Sequence, residues 1–87
     1  MSIEQQQEIL LLHKMYTETP RNRIKENLKS EINKSGHKIT EIAKETGIAT
    51  QSIYQLRKPY ANYCPEFIPT LILCNYLKIP ITAVIQP

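Results

Sequence analysis

The stretch from Ile39 to Lys58, ITEIAKETGIATQSIYQLRK, constrains the fold of this chain more than any other part of it. Gly47 follows Ala43 by one helical turn, and apolar residues recur at helical spacing on both sides of it. Glycine commonly ends a helix in a left-handed conformation, where a Cβ is costly. The stretch therefore predicts two short helices joined by a tight turn and packed through four apolar side chains: Ile42, Ile48, Ile53 and Leu56.

The polar side chains of the second helix form a different pattern. Residues three and four apart on a helix are neighbours, so the polar residues share one outward face: Thr50, Gln51, Tyr54 and Gln55. A rigid helix with a hydrogen-bonding face has the shape that enters the major groove of DNA. The competing interpretation is a generic helical hairpin, because amphipathic helix pairs with a glycine between them also arise by chance.

These residues resemble the helix-turn-helix of the lambda-repressor and Cro type, and the resemblance covers about residues 20–85. It implies an all-α fold, a compact bundle of about five helices with a central helix-turn-helix. Residues 1–19 would then be an N-terminal helical extension, and residues 20–87 the DNA-binding domain. The family is one of small repressors, which act on DNA as transcriptional regulators.

The resemblance also implies roles for the second helix. By position, Thr50, Gln51 and Gln55 would read base edges, with Tyr54 beside them on a thymine methyl or a phosphate, and Gln favours adenine. Ala49 stands where a serine usually caps this helix, so Thr50 is expected to cap it instead and to start it one residue late. Ile39 and Thr46 also differ from the usual family residues, a glutamine and an apolar side chain respectively.

Charge is distributed unevenly along the chain. Residues 1–19 contain one lysine and three glutamates, whereas residues 20–58 contain nine lysines or arginines and four glutamates. The basic excess lies on the segment expected to touch DNA, as phosphate neutralisation requires. A solvated surface of mixed charge is the alternative. The residues expected at phosphates are Arg21, Arg23, Lys38, Thr40, Ser52, Arg57, Lys58, Tyr60 and Asn62.

Two more helices are predicted around the central pair. Thr19 and Pro20 suggest a cap and first residue for a helix with Ile24, Leu28 and Ile32 on one face, ending at Gly36. Thr40 is a possible cap for the helix that follows. After Pro65, a helix is expected to begin near Phe67 or Ile68, because Pro69 is tolerated only in a first turn.

Both ends of the chain carry apolar residues that need covering. Residues 2–18 predict a helix whose apolar stripe is too wide for a solvated face, so it packs either on its own domain or on a partner. Residues 78–87 read as a helical turn or a strand. A twofold partner is the simplest cover for this segment. The residues expected at such an interface are Leu11, Met15, Ile81, Val84 and Ile85.

The sequence contains few residues or segments that suggest a metal site, a targeting signal or an enzyme active site. Cys64 and Cys74 do not form a CxxC pair and have no histidine cluster beside them, so we expect reduced thiols and no metal or other cofactor. The longest apolar run near the N-terminus is Ile9 to Leu12, which predicts neither a signal peptide nor a membrane span. No catalytic constellation or glycine-rich phosphate loop is apparent. A cytoplasmic, non-enzymatic protein is expected.

Two functional hypotheses follow. The first is a sequence-specific DNA-binding regulator, a small repressor of the phage or mobile-element kind, acting as a homodimer on a near-palindromic operator. The second is a protein-interaction module of the same fold, which modulates another regulator through its N-terminal helix.

Overall fold

A computed structural model describes residues 2–57 and 64–85 of the 87-residue chain. The helices in these ranges are α1 (Ile3–Glu18), α2 (Arg21–Ser35), α3 (Ile39–Thr46), α4 (Thr50–Arg57) and α5 (Phe67–Tyr76), followed by a 3₁₀ turn at Ile81–Ala83. The described ranges contain no β-strand. The predicted all-α class with about five helices is therefore confirmed.

The core lies where α3, α4 and α5 meet the buried face of α2. α4 packs against both α2 and α3, and α5 packs against α3 and the 3₁₀ turn. The stripe predicted on α2 is buried, as are the apolar residues of the two central helices. These core residues are Ile24, Leu28, Ile32, Ile39, Ile42, Ile53 and Leu56. Ile39, which departs from the family pattern, contributes to this core as an apolar residue.

Gly36 and Gly47 end α2 and α3 in the left-handed conformation, with φ of 71° and 78°. The Gly47 amide donates to the carbonyl of Ala43 at 2.9 Å, which closes the last turn of α3. The turn predicted from the sequence is therefore confirmed, and it takes only the three residues 47–49 to reach α4.

Gly47→Ala is expected to lower the free energy of unfolding by about 1–2 kcal/mol, because an L-residue is strained at this positive φ. A Cβ added at Gly47 meets no atom within 4 Å, so the cost comes from the backbone conformation alone. Gly47→Asn is the control, since asparagine tolerates the left-handed region better and should cost less. Urea denaturation measures both values, and an equal loss for the two variants would contradict this explanation.

Two helix caps predicted from the sequence, at Thr19 and Thr40, are wrong. Thr19 ends α1, with its hydroxyl donating to the Met15 carbonyl at 2.7 Å, and Pro20 holds the cap position before α2. Thr40 lies inside α3, where Lys38 holds the cap position without a side-chain hydrogen bond. Capping by a threonine is worth only about 1 kcal/mol. Packing of the helices outweighs that preference.

The C-terminal segment is covered by its own chain. Ile81, Val84 and Ile85 are buried among the core residues, and Asn27 of α2 donates from Nδ2 to the Val84 carbonyl at 2.9 Å. The prediction that a twofold partner covers these three residues is therefore wrong. The 3₁₀ turn folds the chain back between α5 and α2, so the side chains of Ile81, Val84 and Ile85 are already out of water.

α1 is divided between packing and exposure. Ile9, Leu12, Met15 and Tyr16 are partly buried against the core, so Met15, which was predicted at a partner interface, packs in part on its own chain. Leu11 is exposed, as are Ile3 and Leu10. The helix therefore packs on its own domain with one part of its surface and exposes apolar side chains on another, and contact with a partner stays a prediction.

The contact between α1 and α5 is aromatic and polar. Tyr16 and His13 lie edge-on to the ring of Phe67, with ring centres 5.6 and 5.0 Å away. The Tyr16 hydroxyl donates to the Pro65 carbonyl at 2.6 Å. Burial raises the pKa of the Tyr16 phenol above its ordinary value, so the phenol keeps the proton that it donates. These contacts fix the second half of α1 on the start of α5.

The two cysteines are free thiols, with Cys64 half-buried and Cys74 buried. Burial raises the pKa of the Cys74 thiol to about 11, so it stays protonated at neutral pH. Among the residues that the structure describes, no group of acidic, histidine or cysteine side chains is arranged to hold a metal ion. In the same residues no helix combines the length and the apolar character needed to cross a bilayer.

Candidate nucleic-acid interface

The α3–α4 pair is held together from within and at its turn. Ile42 and Ile53 are fully buried between the two helices, together with Leu56. Thr46 Oγ1 donates to the Ile42 carbonyl at 2.6 Å and accepts from the Ile48 amide at 3.2 Å. Thr46 is thus more than a departure from the family pattern, because its hydroxyl satisfies a backbone amide in the turn that would otherwise lack a helical partner.

α4 begins at Thr50, and the carbonyl of Ala49 accepts the first amides of the helix. Ser52 and Ile53 donate to it at 3.0 and 3.3 Å. Ala49 therefore occupies the cap position itself. The expectation that Thr50 caps the helix and delays its start is wrong. Thr50 is the first helical residue, which sets the rotation of every later side chain on α4.

With that rotation, the predicted reading residues all keep contact with solvent. Gln51 and Tyr54 are exposed, Tyr54 by 50 %, and Thr50 and Gln55 are half-buried. Ile53 and Leu56 point into the core from the same helix. Because buried residues on α4 fix the helix in place, its exposed polar side chains are presented on a rigid support.

Arg57, the last residue of α4, contacts a residue that the sequence did not single out. Its Nη2 donates to Oδ1 of Asn33 on α2 at 3.2 Å, and both side chains are exposed. The two residues are 24 positions apart. No local pattern could have paired them, since periodicity relates only residues on the same helix.

The other residues predicted at phosphates lie on several elements. Lys38 and Thr40 are exposed at the start of α3, and Ser52 is half-buried in α4. Arg23 is exposed in the first turn of α2. Lys58, Tyr60 and Asn62 lie outside the described residues.

Arg21 and Lys25 show that the basic start of α2 is not one cluster. Arg21 is exposed and lines a shallow depression between α1 and α5, beside Tyr16 and Glu66. Lys25, one turn further along, is buried and cannot form part of an exposed cationic surface with Arg21. The structure therefore places Arg21 next to α1, on a surface lined mainly by apolar and aromatic side chains.

One exposed ion pair and one histidine–glutamate contact lie near the candidate interface. Lys34 is 3.7 Å from Glu31, and Nδ1 of His37 is 3.7 Å from Glu41. Exposed pairs of this kind contribute little to stability. His37 also lies against the ring of Tyr76, with centres 5.2 Å apart, so it links the start of α3 to α5.

No known protein family has a model that matches this chain, and neither the curated proteins nor the solved structures contain a match. The assignment of a function therefore depends on the geometry of the α3–α4 pair and on the resemblance of its residues to the lambda-repressor and Cro type.

Proposed function

We propose that this protein is a sequence-specific DNA-binding transcriptional regulator, a small repressor of the lambda-repressor and Cro type. The observation that carries the proposal is the exposure of Gln51 and Tyr54 on a helix that Ile53 and Leu56 hold in the core. The regulator binds DNA without catalysis or a cofactor, in the cytoplasm. A source in a phage or mobile element is part of the proposal, in keeping with the resemblance to small repressors.

In this proposal α4 enters the major groove and each exposed side chain has a chemical role. Gln51 and Gln55 each offer an amide that pairs bidentately with N6 and N7 of adenine, and Thr50 and Tyr54 contact neighbouring base edges. Arg57, Lys38, Thr40 and Ser52 bind the flanking phosphates, which fix the position of the helix but carry no sequence information. Arg21 and Arg23 add positive charge at the start of α2.

The regulator is proposed to act as a homodimer on a near-palindromic operator. Two α4 helices related by a twofold axis then enter successive major grooves roughly 34 Å apart. Ile81, Val84 and Ile85 are buried in their own chain. Among the residues that the structure describes, the apolar side chains proposed to contact a second copy are therefore those exposed on α1 and α5. They are Ile3, Leu10, Leu11, Ile68 and Ile72.

The first test is selection of bound sites from random duplex DNA, followed by affinity measurements across a range of salt concentrations on the selected and on a scrambled duplex. Binding is expected to weaken with salt, because phosphate contacts release counterions. A palindromic site with a protein dimer bound would support the proposal. Affinity that does not respond to salt, or that is equal on the scrambled duplex, would contradict it.

Gln51→Ala is expected to weaken binding to the selected duplex by about 1–3 kcal/mol, roughly 5- to 150-fold, because it removes a bidentate base contact. Its stability should stay close to that of the natural protein, since Gln51 is exposed. Gln7→Ala on exposed α1 is the matched control and should bind normally. An equal loss on selected and scrambled duplexes would show that Gln51 does not read a base.

The second candidate function is a protein-interaction module whose contact surface is α1. Leu10 and Leu11 are 69 % and 64 % exposed, and an apolar pair of that kind on a helix often marks a binding surface. Leu10→Glu with Leu11→Glu should abolish partner binding while folding is kept, with Gln6→Glu and Gln7→Glu as the control for added charge. This candidate function would be contradicted if the double leucine variant kept the oligomeric state and the partner binding of the natural protein.

A further inference from the structure

The second half of α2 presents a polar surface beside the end of α4. Lys29, Asn33 and Lys34 line a shallow depression there with Ser30 and Glu26. Asn33 is the member of this group that reaches α4, through its hydrogen bond to Arg57. The depression therefore borders the helix proposed to read DNA.

Arg57 lies on the same stripe of α4 as Thr50 and Tyr54, which precede it by seven and three residues. A guanidinium group at this position extends from the reading face towards the edge of the groove. A free arginine side chain samples many rotamers, and binding to a phosphate would remove most of that freedom. A contact that restricts the side chain beforehand reduces this loss on binding.

The side-chain amide of Asn33 is suited to restricting the Arg57 side chain before DNA binds. Its amide oxygen accepts one N–H of Arg57 and leaves the other donors of the planar fork for a second ligand. An amide is neutral, so the contact keeps the full positive charge of the guanidinium, whereas a carboxylate would neutralise it. Two carboxylates lie nearby on α2. Glu31 is paired with Lys34 at 3.7 Å, and Glu26 lines the depression.

We infer that Asn33 is a positioning residue for DNA binding. It holds the guanidinium of Arg57 so that the remaining N–H donors bind one phosphate at the edge of the groove that α4 occupies. This inference rests on the proposed function, and it adds a residue from the second half of α2 to the proposed interface.

The test is a double-mutant cycle between Asn33 and Arg57, measured on the selected duplex and on a scrambled duplex of equal length. Asn33→Ala is expected to weaken binding about 2- to 10-fold, the range of one ordinary hydrogen bond. Because a phosphate contact carries no sequence information, the loss should be similar on both duplexes. In an Arg57→Ala background, Asn33→Ala should have no further effect.

Asn33→Asp gives a readout that a merely structural role would not produce. The carboxylate pairs with Arg57 and removes its charge from the phosphate, so the loss should exceed that of Asn33→Ala. The salt dependence, as the slope of log affinity against log salt, should also fall by about 0.9, the value for one lost phosphate contact. The controls are placed at Asn75, an exposed asparagine of α5. Asn75→Ala controls for the loss of an amide, and Asn75→Asp controls for the added negative charge.

The inference would be overturned if Asn33→Ala bound DNA with normal affinity, or if it lost as much affinity in the Arg57→Ala background as in the natural protein. Either result would leave the proposed function standing. An unchanged salt slope in Asn33→Asp would overturn it as well. If the unaltered protein shows no salt-dependent binding to any duplex, the proposed function and this inference fall together. Unfolding midpoints of all variants are measured alongside, and they are expected to match because both side chains are exposed.

Discussion

Ile85→Ala is expected to lower the free energy of unfolding by about 2–5 kcal/mol, the usual cost of truncating a fully buried isoleucine to alanine. Ile85 has no exposed surface, and it packs in the same core as α2 and α5. The substitution leaves a cavity that rigid helices on several sides cannot close. Urea denaturation followed by circular dichroism measures the loss.

The size of this loss also decides what covers the C-terminal segment. If Ile85 belongs to the core of its own chain, the loss is the same at low and at high protein concentration. Ile68→Ala is the matched control, because Ile68 is 58 % exposed and its truncation should cost far less. A loss that shrinks on dilution would instead indicate that Ile85 is buried between two copies, contrary to the structure.

Ile53→Ala is expected to have a comparable effect, a loss of about 2–5 kcal/mol, because Ile53 is fully buried at the centre of α4. Ile53→Val removes a single methylene and should cost only about 0.5–1.5 kcal/mol. Comparing the free energies of unfolding of the two variants tests whether close packing around Ile53 holds α4 in place. Thermal and urea unfolding of both variants give the values.

The DNA affinities of the Ile53 and Gln51 variants should differ, because Ile53 supports α4 and Gln51 is proposed to contact DNA. Ile53→Val should bind DNA with nearly normal affinity, since it keeps α4 folded, whereas Gln51→Ala should fold normally and bind poorly. Gln7→Ala, at an exposed residue of α1, is again the control for a substitution outside the core. A stable Ile53→Ala variant would mean that α4 is not held by the core, and the proposal that it reads DNA as a rigid helix would lose its basis.

Local patterns predicted the helices well. The four-residue spacing of Ile24, Leu28 and Ile32 identified the buried face of α2, and Gly36 and Gly47 identified where α2 and α3 end. Each of these signals depends on residues within one or two helical turns. Helical periodicity and the backbone freedom of glycine act over that distance, so they can be read along the chain.

The starts of the helices were predicted less well. Thr19, Thr40 and Thr50 were expected to cap helices, yet Pro20, Lys38 and Ala49 hold those positions. A capping side chain contributes about 1 kcal/mol, whereas a buried isoleucine contributes about 1.5–3 kcal/mol. Packing therefore determines the residue at which each helix begins, and the residue just before it occupies the cap position whether or not its side chain can cap.

The sequence by itself determined the α3–α4 pair, the tight turn between its helices and the polar side chains that α4 carries. Only the tertiary structure decided which apolar surfaces are covered. It buried Ile85 with the C-terminal segment, left Leu10 and Leu11 in solvent, and brought Asn33 to Arg57. The reason is that periodicity shows which face of a helix is apolar, whereas the element that covers that face can come from anywhere in the chain.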